Sequence, residues 1–110
     1  MCLHTGSNDE LLRGQVWHVK PADHGVAVYI KVRGGWWTKP YWNSPVTSIA
    51  PDGNWVCDIT TGGEDNEATE ITAFLIPLDY DPPLMSGGST LPTELDTNAL
   101  AKVSVTRTPN

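Results

Sequence analysis

The sequence has few cysteines, few basic residues and no long apolar run. Two cysteines in 110 residues are too few for the disulfide framework of a small secreted scaffold. Seven lysines and arginines against thirteen acidic residues give a formal net charge of −6. This balance disfavours nucleic acid and anionic membranes, because phosphate groups are bound mainly by Lys and Arg. The longest apolar runs, VAVYI and AFLIPL, are too short to span a bilayer. We therefore expect no nucleic-acid partner and no transmembrane segment.

Common catalytic motifs are also missing. The sequence has no serine-centred nucleophile elbow and no glycine-rich phosphate loop. Its three histidines, His4, His18 and His24, do not follow a known metal-binding spacing. Cys57 lies in the strand-like stretch NWVCDIT, where a buried thiol is more typical than a nucleophile. The sequence therefore predicts a domain without catalytic activity.

The N-terminal stretch MCLHTGSNDE leaves the role of Cys2 open. A disulfide with Cys57, attachment of a lipid to Cys2, and a residue left from cloning all agree with the sequence. Residues 1–11 are mostly polar and show no periodic pattern, which predicts a flexible tail. Residues 12–107 are predicted to form one domain, since a chain of this length matches the usual domain size.

Alternation of apolar and polar residues predicts about seven short strands and no long helix. Residues 25–33 alternate most regularly: the valines and Ile30 share one face, and the face with Tyr29, Lys31 and Arg33 is predicted to be solvated. The turn sequence APDGNW predicts a β-hairpin between residues 46–49 and 54–60. The other predicted strands are residues 12–20, 36–39, 71–78 and 99–107, and PTEL is expected to form one helical turn. Together they predict an all-β fold, an immunoglobulin-like antiparallel β-sandwich.

The aromatic residues are unusual in type: five Trp and three Tyr, but one Phe. Trp and Tyr combine an apolar ring with a polar atom, which suits half-exposed sites. They are densest in GGWWTKPYW, residues 34–42. Adjacent side chains of a strand point to opposite faces, so Trp36 and Trp37 cannot enter the same core. We expect one of them to pack inward and the other to face solvent, whereas Trp17 and Trp55 are predicted to be core residues.

The exposed part of this aromatic segment is the candidate ligand site. An indole ring is flat and rigid, so it can stack on the apolar face of a sugar ring at little entropic cost. Neighbouring polar side chains would orient the sugar by hydrogen bonds. The candidate ligand-binding residues are Trp36, Trp37, Lys39, Tyr41, Trp42, Asn43 and Asp58. In the alternative interpretation, these tryptophans only seal the ends of the sandwich.

The acidic loop TGGEDNEATE, residues 61–70, is a weaker candidate for binding a cation. Glu64, Asp65 and Glu67 carry the oxygen ligands that Ca²⁺ prefers, but their spacing does not match the EF-hand loop. An ordinary solvated loop is the favoured interpretation, and we expect no cofactor.

Three segments carry a family resemblance: YIKVRGGWWTKP, DGNWVCDITTGGEDNEAT and AFLIP, followed by LPTEL and a last strand ending at Arg107. Over residues 12–107 the chain resembles small immunoglobulin-like accessory modules of secreted bacterial polysaccharide-degrading proteins. The resemblance implies a non-catalytic, carbohydrate-binding module, extracellular or on the cell surface, which anchors an attached enzyme domain to a polysaccharide. The alternative is a structural spacer or protein-interaction module without affinity for sugars.

Overall fold

A computed structural model describes residues 2–7, 11–17, 20–39, 45–58 and 68–106. These residues form nine strands, one 3-10 turn at Pro21–Asp23 and one short helix, α1, at Glu94–Asn98. The strands are β1 Cys2–Ser7, β2 Leu11–Trp17, β3 His24–Val32, β4 Gly35–Lys39, β5 Thr47–Ser48, β6 Asn54–Asp58, β7 Glu70–Pro77, β8 Ser86–Gly88 and β9 Ala101–Thr106. None of the helices in this part of the chain is long and apolar enough to cross a membrane.

The strands form two antiparallel sheets that pack face to face. The larger sheet has the order β8-β4-β3-β7-β9, with β5 beside β4 along one edge of β3, and the smaller has the order β1-β2-β6. Val16, Trp55 and Cys57 of the smaller sheet pack against the valines and Ile30 of β3 and against alternate residues of β7. This packing confirms the predicted all-β sandwich. The immunoglobulin-like strand order stays a prediction.

The outer face of the larger sheet is also buried. Residues 78–100 cross it, and Met85 and Leu95 from this segment pack on Tyr29 and Phe74. Strands β3 and β7 are therefore covered on both sides. The prediction that Tyr29 lies on a solvated face is wrong: its side chain is 1% exposed, and its hydroxyl donates a hydrogen bond to the Pro83 carbonyl at 2.8 Å.

The turn between β5 and β6 forms as predicted, but the hairpin does not continue beyond it. Gly53 N donates to Ala50 O and Ala50 N donates to Asn54 O, both at 2.8 Å. Gly53 has φ +89°, the left-handed conformation that closes such a turn. Beyond this point β5 pairs with β3 and β6 pairs with β2. The two arms thus enter different sheets, because each finds a longer partner strand there.

Two strands lie where the sequence predicts irregular chain. Residues 2–7, which we expected to be a flexible tail, pair with β2 along six positions. Residues 86–88, inside the long segment before α1, pair with β4. Both stretches are short and contain glycine or polar residues, so they show no apolar alternation. Strand pairing by backbone hydrogen bonds does not depend on a side-chain pattern.

Candidate functional site

Strand β4 places its two tryptophans on opposite faces of the larger sheet, as predicted. Trp36 lies opposite Lys31 on the outer face and is 7% exposed. The Lys31 ammonium group lies 5.8 Å from the centre of the Trp36 ring, within the range of a cation–π contact. Trp37 lies opposite Ile30 on the face that the smaller sheet covers, yet it is 39% exposed.

The position of the smaller sheet explains why Trp37 is exposed. Its strand β1 lies against β9, and its strand β6 is joined to β5. The smaller sheet therefore covers the β9, β7 and β3 side of the larger sheet. Trp37 lies on β4, towards the uncovered β8 edge.

Strand β8 supports the Trp37 ring. Gly87 has φ +106°, and a Cβ atom at this position would lie 3.3 Å from Cζ2 of Trp37. The glycine backbone therefore lies directly against the six-membered ring of the indole. Residues 86–88 are exposed, and Thr38 anchors the chain before them: Thr38 N donates to Met85 O at 3.1 Å, and Met85 N donates to Thr38 Oγ1 at 2.7 Å. The indole is thus half-exposed but held in a defined orientation.

The other predicted ligand-binding residues do not all join Trp37 at the surface. Trp36 and Lys39 are each 7% exposed, which does not favour their prediction as ligand-contacting residues. Asp58 lies on β6 in the smaller sheet, and its side chain lies outside the described part of the structure. Tyr41, Trp42 and Asn43 also lie outside the described residues, and their roles stay predictions.

The predicted core positions in β6 are confirmed. Trp55 is 4% exposed and Cys57 is 1% exposed, and both belong to the core between the sheets. The side chain of Trp17, also predicted to be buried, lies outside the described residues.

Sequence reasoning missed a cleft that lies beside β5 and β6 and reaches Gly14 of β2. Its volume is about 580 Å³, and its lining residues are Gly14, Ser48, Ile49, Ala50, Asn54, Trp55 and Val56. The Nε1 atom of Trp55 is buried and has no hydrogen-bond partner among the described residues, and Val56 is 46% exposed. The hairpin predicted here would have closed this space, so the sequence pattern pointed away from a cleft.

Two tyrosines form hydrogen bonds with residues of the segment 78–100 that covers the outer face, and both have raised pKa values. Tyr80 donates a hydrogen bond from its hydroxyl to Glu94 Oε1 at 2.8 Å. Burial, followed by this hydrogen bond, raises the pKa of Tyr80 to about 12. Burial is also the main reason why the pKa of Tyr29 lies above its ordinary value. Both phenols stay protonated near neutral pH, so they act as hydrogen-bond donors rather than as acid–base groups.

The described residues contain no group of three or more His, Cys, Asp or Glu side chains that could hold a metal ion. The acidic loop with Glu64, Asp65 and Glu67 lies outside them, so its interpretation is unchanged.

Comparison with known proteins does not assign the chain to a family. No protein-family model, curated protein sequence or solved structure matches it. The fold and the site therefore define the molecule by its class: an all-β sandwich with a half-exposed tryptophan beside a glycine-containing edge strand.

Proposed function

We propose that this domain is a non-catalytic carbohydrate-binding module in which Trp37 stacks on a sugar ring of a polysaccharide. The observation that carries the proposal is the exposure of the Trp37 indole, whose orientation is held by the backbone of Gly87. In this role the domain holds an attached enzyme, or a cell surface, on a polysaccharide outside a bacterial cell.

The contrast among the tryptophans supports this role. Trp36 and Trp55 are 7% and 4% exposed, whereas Trp37 is 39% exposed. An exposed indole offers a large apolar surface with few internal degrees of freedom, and the C–H face of a pyranose ring is its natural complement. The neighbouring edge strand β8 and the residues that follow it add hydroxyl groups, because Ser86, Ser89 and Thr90 are exposed.

A single stacking site implies weak binding to each sugar unit. We expect a Kd on the order of 10–100 μM, about −6 kcal/mol. A polymer repeats its sites many times, so a tethered enzyme would still remain close to its substrate. The net charge of −6 favours a neutral or cationic polysaccharide over a polyanionic one.

The alternative is a structural spacer or protein-interaction module. The burial of Trp36 and Trp55 favours this function, because two of the three tryptophans whose side chains are described lie in the cores of the domain. A spacer would have no affinity for sugars, which separates the two functions experimentally.

The test is binding of the whole chain to a panel of insoluble polysaccharides, with affinity electrophoresis in gels that contain soluble ones. We expect the wild-type protein to bind at least one polysaccharide and Trp37→Ala to lose that binding. Leu100→Ala is a matched control, because Leu100 is 41% exposed but lies beside β9 at the other side of the larger sheet. The proposal fails if the folded wild-type protein ignores the panel, or if Trp37→Ala binds as well as Leu100→Ala does.

A further inference from the structure

The smaller sheet ends at β6, whose outer edge has no partner strand among the described residues. Val16 N donates to Gly53 O at 2.8 Å. This bond identifies which opposed residues of β2 and β6 form hydrogen-bonded pairs. Because bonded pairs alternate along antiparallel strands, Trp55 and Cys57 form their backbone hydrogen bonds with β2. The N–H and C=O groups of Val56, which lies between them, point away from β2 to the open edge.

Strand β5 presents matching groups from the other side of the cleft. Leu78 N donates to Asp23 O at 3.1 Å, so Asp23 and Leu78 are a hydrogen-bonded pair next to the opposed residues His24 and Pro77. Since bonded pairs alternate, the odd-numbered residues of β3 form their backbone hydrogen bonds with β7. Val26 consequently bonds to the other neighbour, and its partner there is Thr47 of β5. The peptide groups of Ser48, the next residue, therefore point away from β3 and towards β6.

Ser48 and Val56 would form the next bonded pair if the hairpin continued past Ala50 and Asn54. Their strands instead enter different sheets, and the cleft of about 580 Å³ opens between them. Both walls of this cleft thus carry backbone donors and acceptors that have no strand partner in the described part of the chain. Unpaired strand edges of this kind are templates for an added strand.

We propose that this cleft binds an extended peptide segment of another protein, which adds as a strand to the edge of β6. Donors and acceptors at the spacing of a strand match a peptide backbone, and the exposed Val56 side chain offers an apolar contact to the added residues. A cationic segment fits best, because the chain has a net charge of −6 and the carboxylate of Asp52 lies at the turn where it accepts hydrogen bonds from Asn54. The same charge opposes pairing with a second copy of this chain.

The test uses a capped peptide of alternating threonine and valine with a lysine at each end, titrated into the isotope-labelled whole chain and followed by NMR. We expect a Kd on the order of 100 μM and slower hydrogen exchange of the Val56 amide at saturation. Val56→Pro should abolish binding, because it removes the donor at the edge. The β2–β6 ladder does not use this N–H, so proline is tolerated there as on other edge strands. Val56→Ile keeps both the N–H and an apolar side chain and should bind like wild type.

Several results would overturn the proposal. The first is the absence of binding at about 1 mM peptide, and the second is binding by Val56→Pro that equals wild-type binding. The third is equal binding of a peptide with glutamates in place of its terminal lysines. The fourth is self-association of the wild-type protein that the Val56→Pro substitution abolishes. If Val56→Pro fails to fold, the peptide N-methylated at alternate residues replaces it: retained binding contradicts the proposal. Trp37→Ala should leave peptide binding unchanged, so this site and the sugar site can fail independently.

Discussion

Alanine substitution of the two adjacent tryptophans of β4 should destabilise the domain to different extents. The residue type and the strand are the same for both, so burial is the main variable. Trp36 is 7% exposed within the outer core, and Trp37 is 39% exposed beside β8. Replacing a tryptophan in a well-packed core by alanine costs about 3–5 kcal/mol.

The cost at each position can be scaled by the buried fraction of the residue. Trp36→Ala should lower the free energy of unfolding by about 4 kcal/mol, the middle of the range for buried sites. Loss of the cation–π contact with Lys31, 5.8 Å from the ring centre, adds at most about 0.5–1 kcal/mol. For Trp37→Ala the loss should be about 2–3 kcal/mol, because roughly four tenths of that residue already face water.

Urea denaturation of both variants measures these costs, with tryptophan fluorescence and far-UV circular dichroism as probes. A coincident transition by the two probes would support the two-state analysis. An equal loss of stability in the two variants, or a larger loss for Trp37→Ala, would refute the reasoning. It would show that the indole of Trp37 is a structural seal rather than a surface available to a ligand.

Three further perturbations test other parts of the structure. Gly53→Ala should destabilise by more than Gly34→Ala in urea denaturation, although both glycines have positive φ. A Cβ at Gly53 would meet the backbone of β2, whereas no atom of the described residues lies within 4 Å of a Cβ at Gly34. We expect about 1–2 kcal/mol for Gly34→Ala, and equal costs would contradict the turn geometry. The Cys57 thiol should react with a water-soluble reagent only after denaturation, and Cys57→Ser should cost about 1–3 kcal/mol; rapid labelling of the native protein would disprove its burial. The pKa of Tyr80 is raised to about 12 in the folded protein. Thermal stability should therefore fall as pH rises from about 10 to 12, because the phenol of the unfolded state loses its proton at a lower pH. An absorbance titration at 295 nm in which all tyrosines ionise at their ordinary pKa would contradict the hydrogen bond from Tyr80 to Glu94.

Much of the sheet architecture could be predicted from local pattern. Strands β3, β7 and β9 carry regular or continuous apolar runs, and all seven predicted strands are present, with shifted ends. The opposite faces of Trp36 and Trp37 follow from the two-residue period of a strand. These features depend only on neighbouring residues, which is why the sequence alone was sufficient.

Features that depend on distant segments could not be predicted in the same way. The charges of Lys31 and Arg33 indicate a solvated face, but Tyr29 on that face is covered by a segment about fifty residues further along. Likewise, the turn at Gly53 predicts a hairpin, and only the competing partners β3 and β2 decide that its arms separate. The cleft between β5 and β6 results from that separation.

The double burial of β3 and β7 also has a consequence for the rate of folding. These central strands pair Lys31 with Glu70 and His24 with Pro77, so a long loop must close before either face of the larger sheet can be covered. Closing such a loop lowers the entropy of the chain before packing interactions can compensate for the loss. Sandwiches dominated by such long-range contacts fold in milliseconds to seconds. Stopped-flow refolding should therefore slow when this strand pair is weakened, as in Ala73→Gly. Changes in the outer segment, such as Leu95→Ala, should mainly accelerate unfolding.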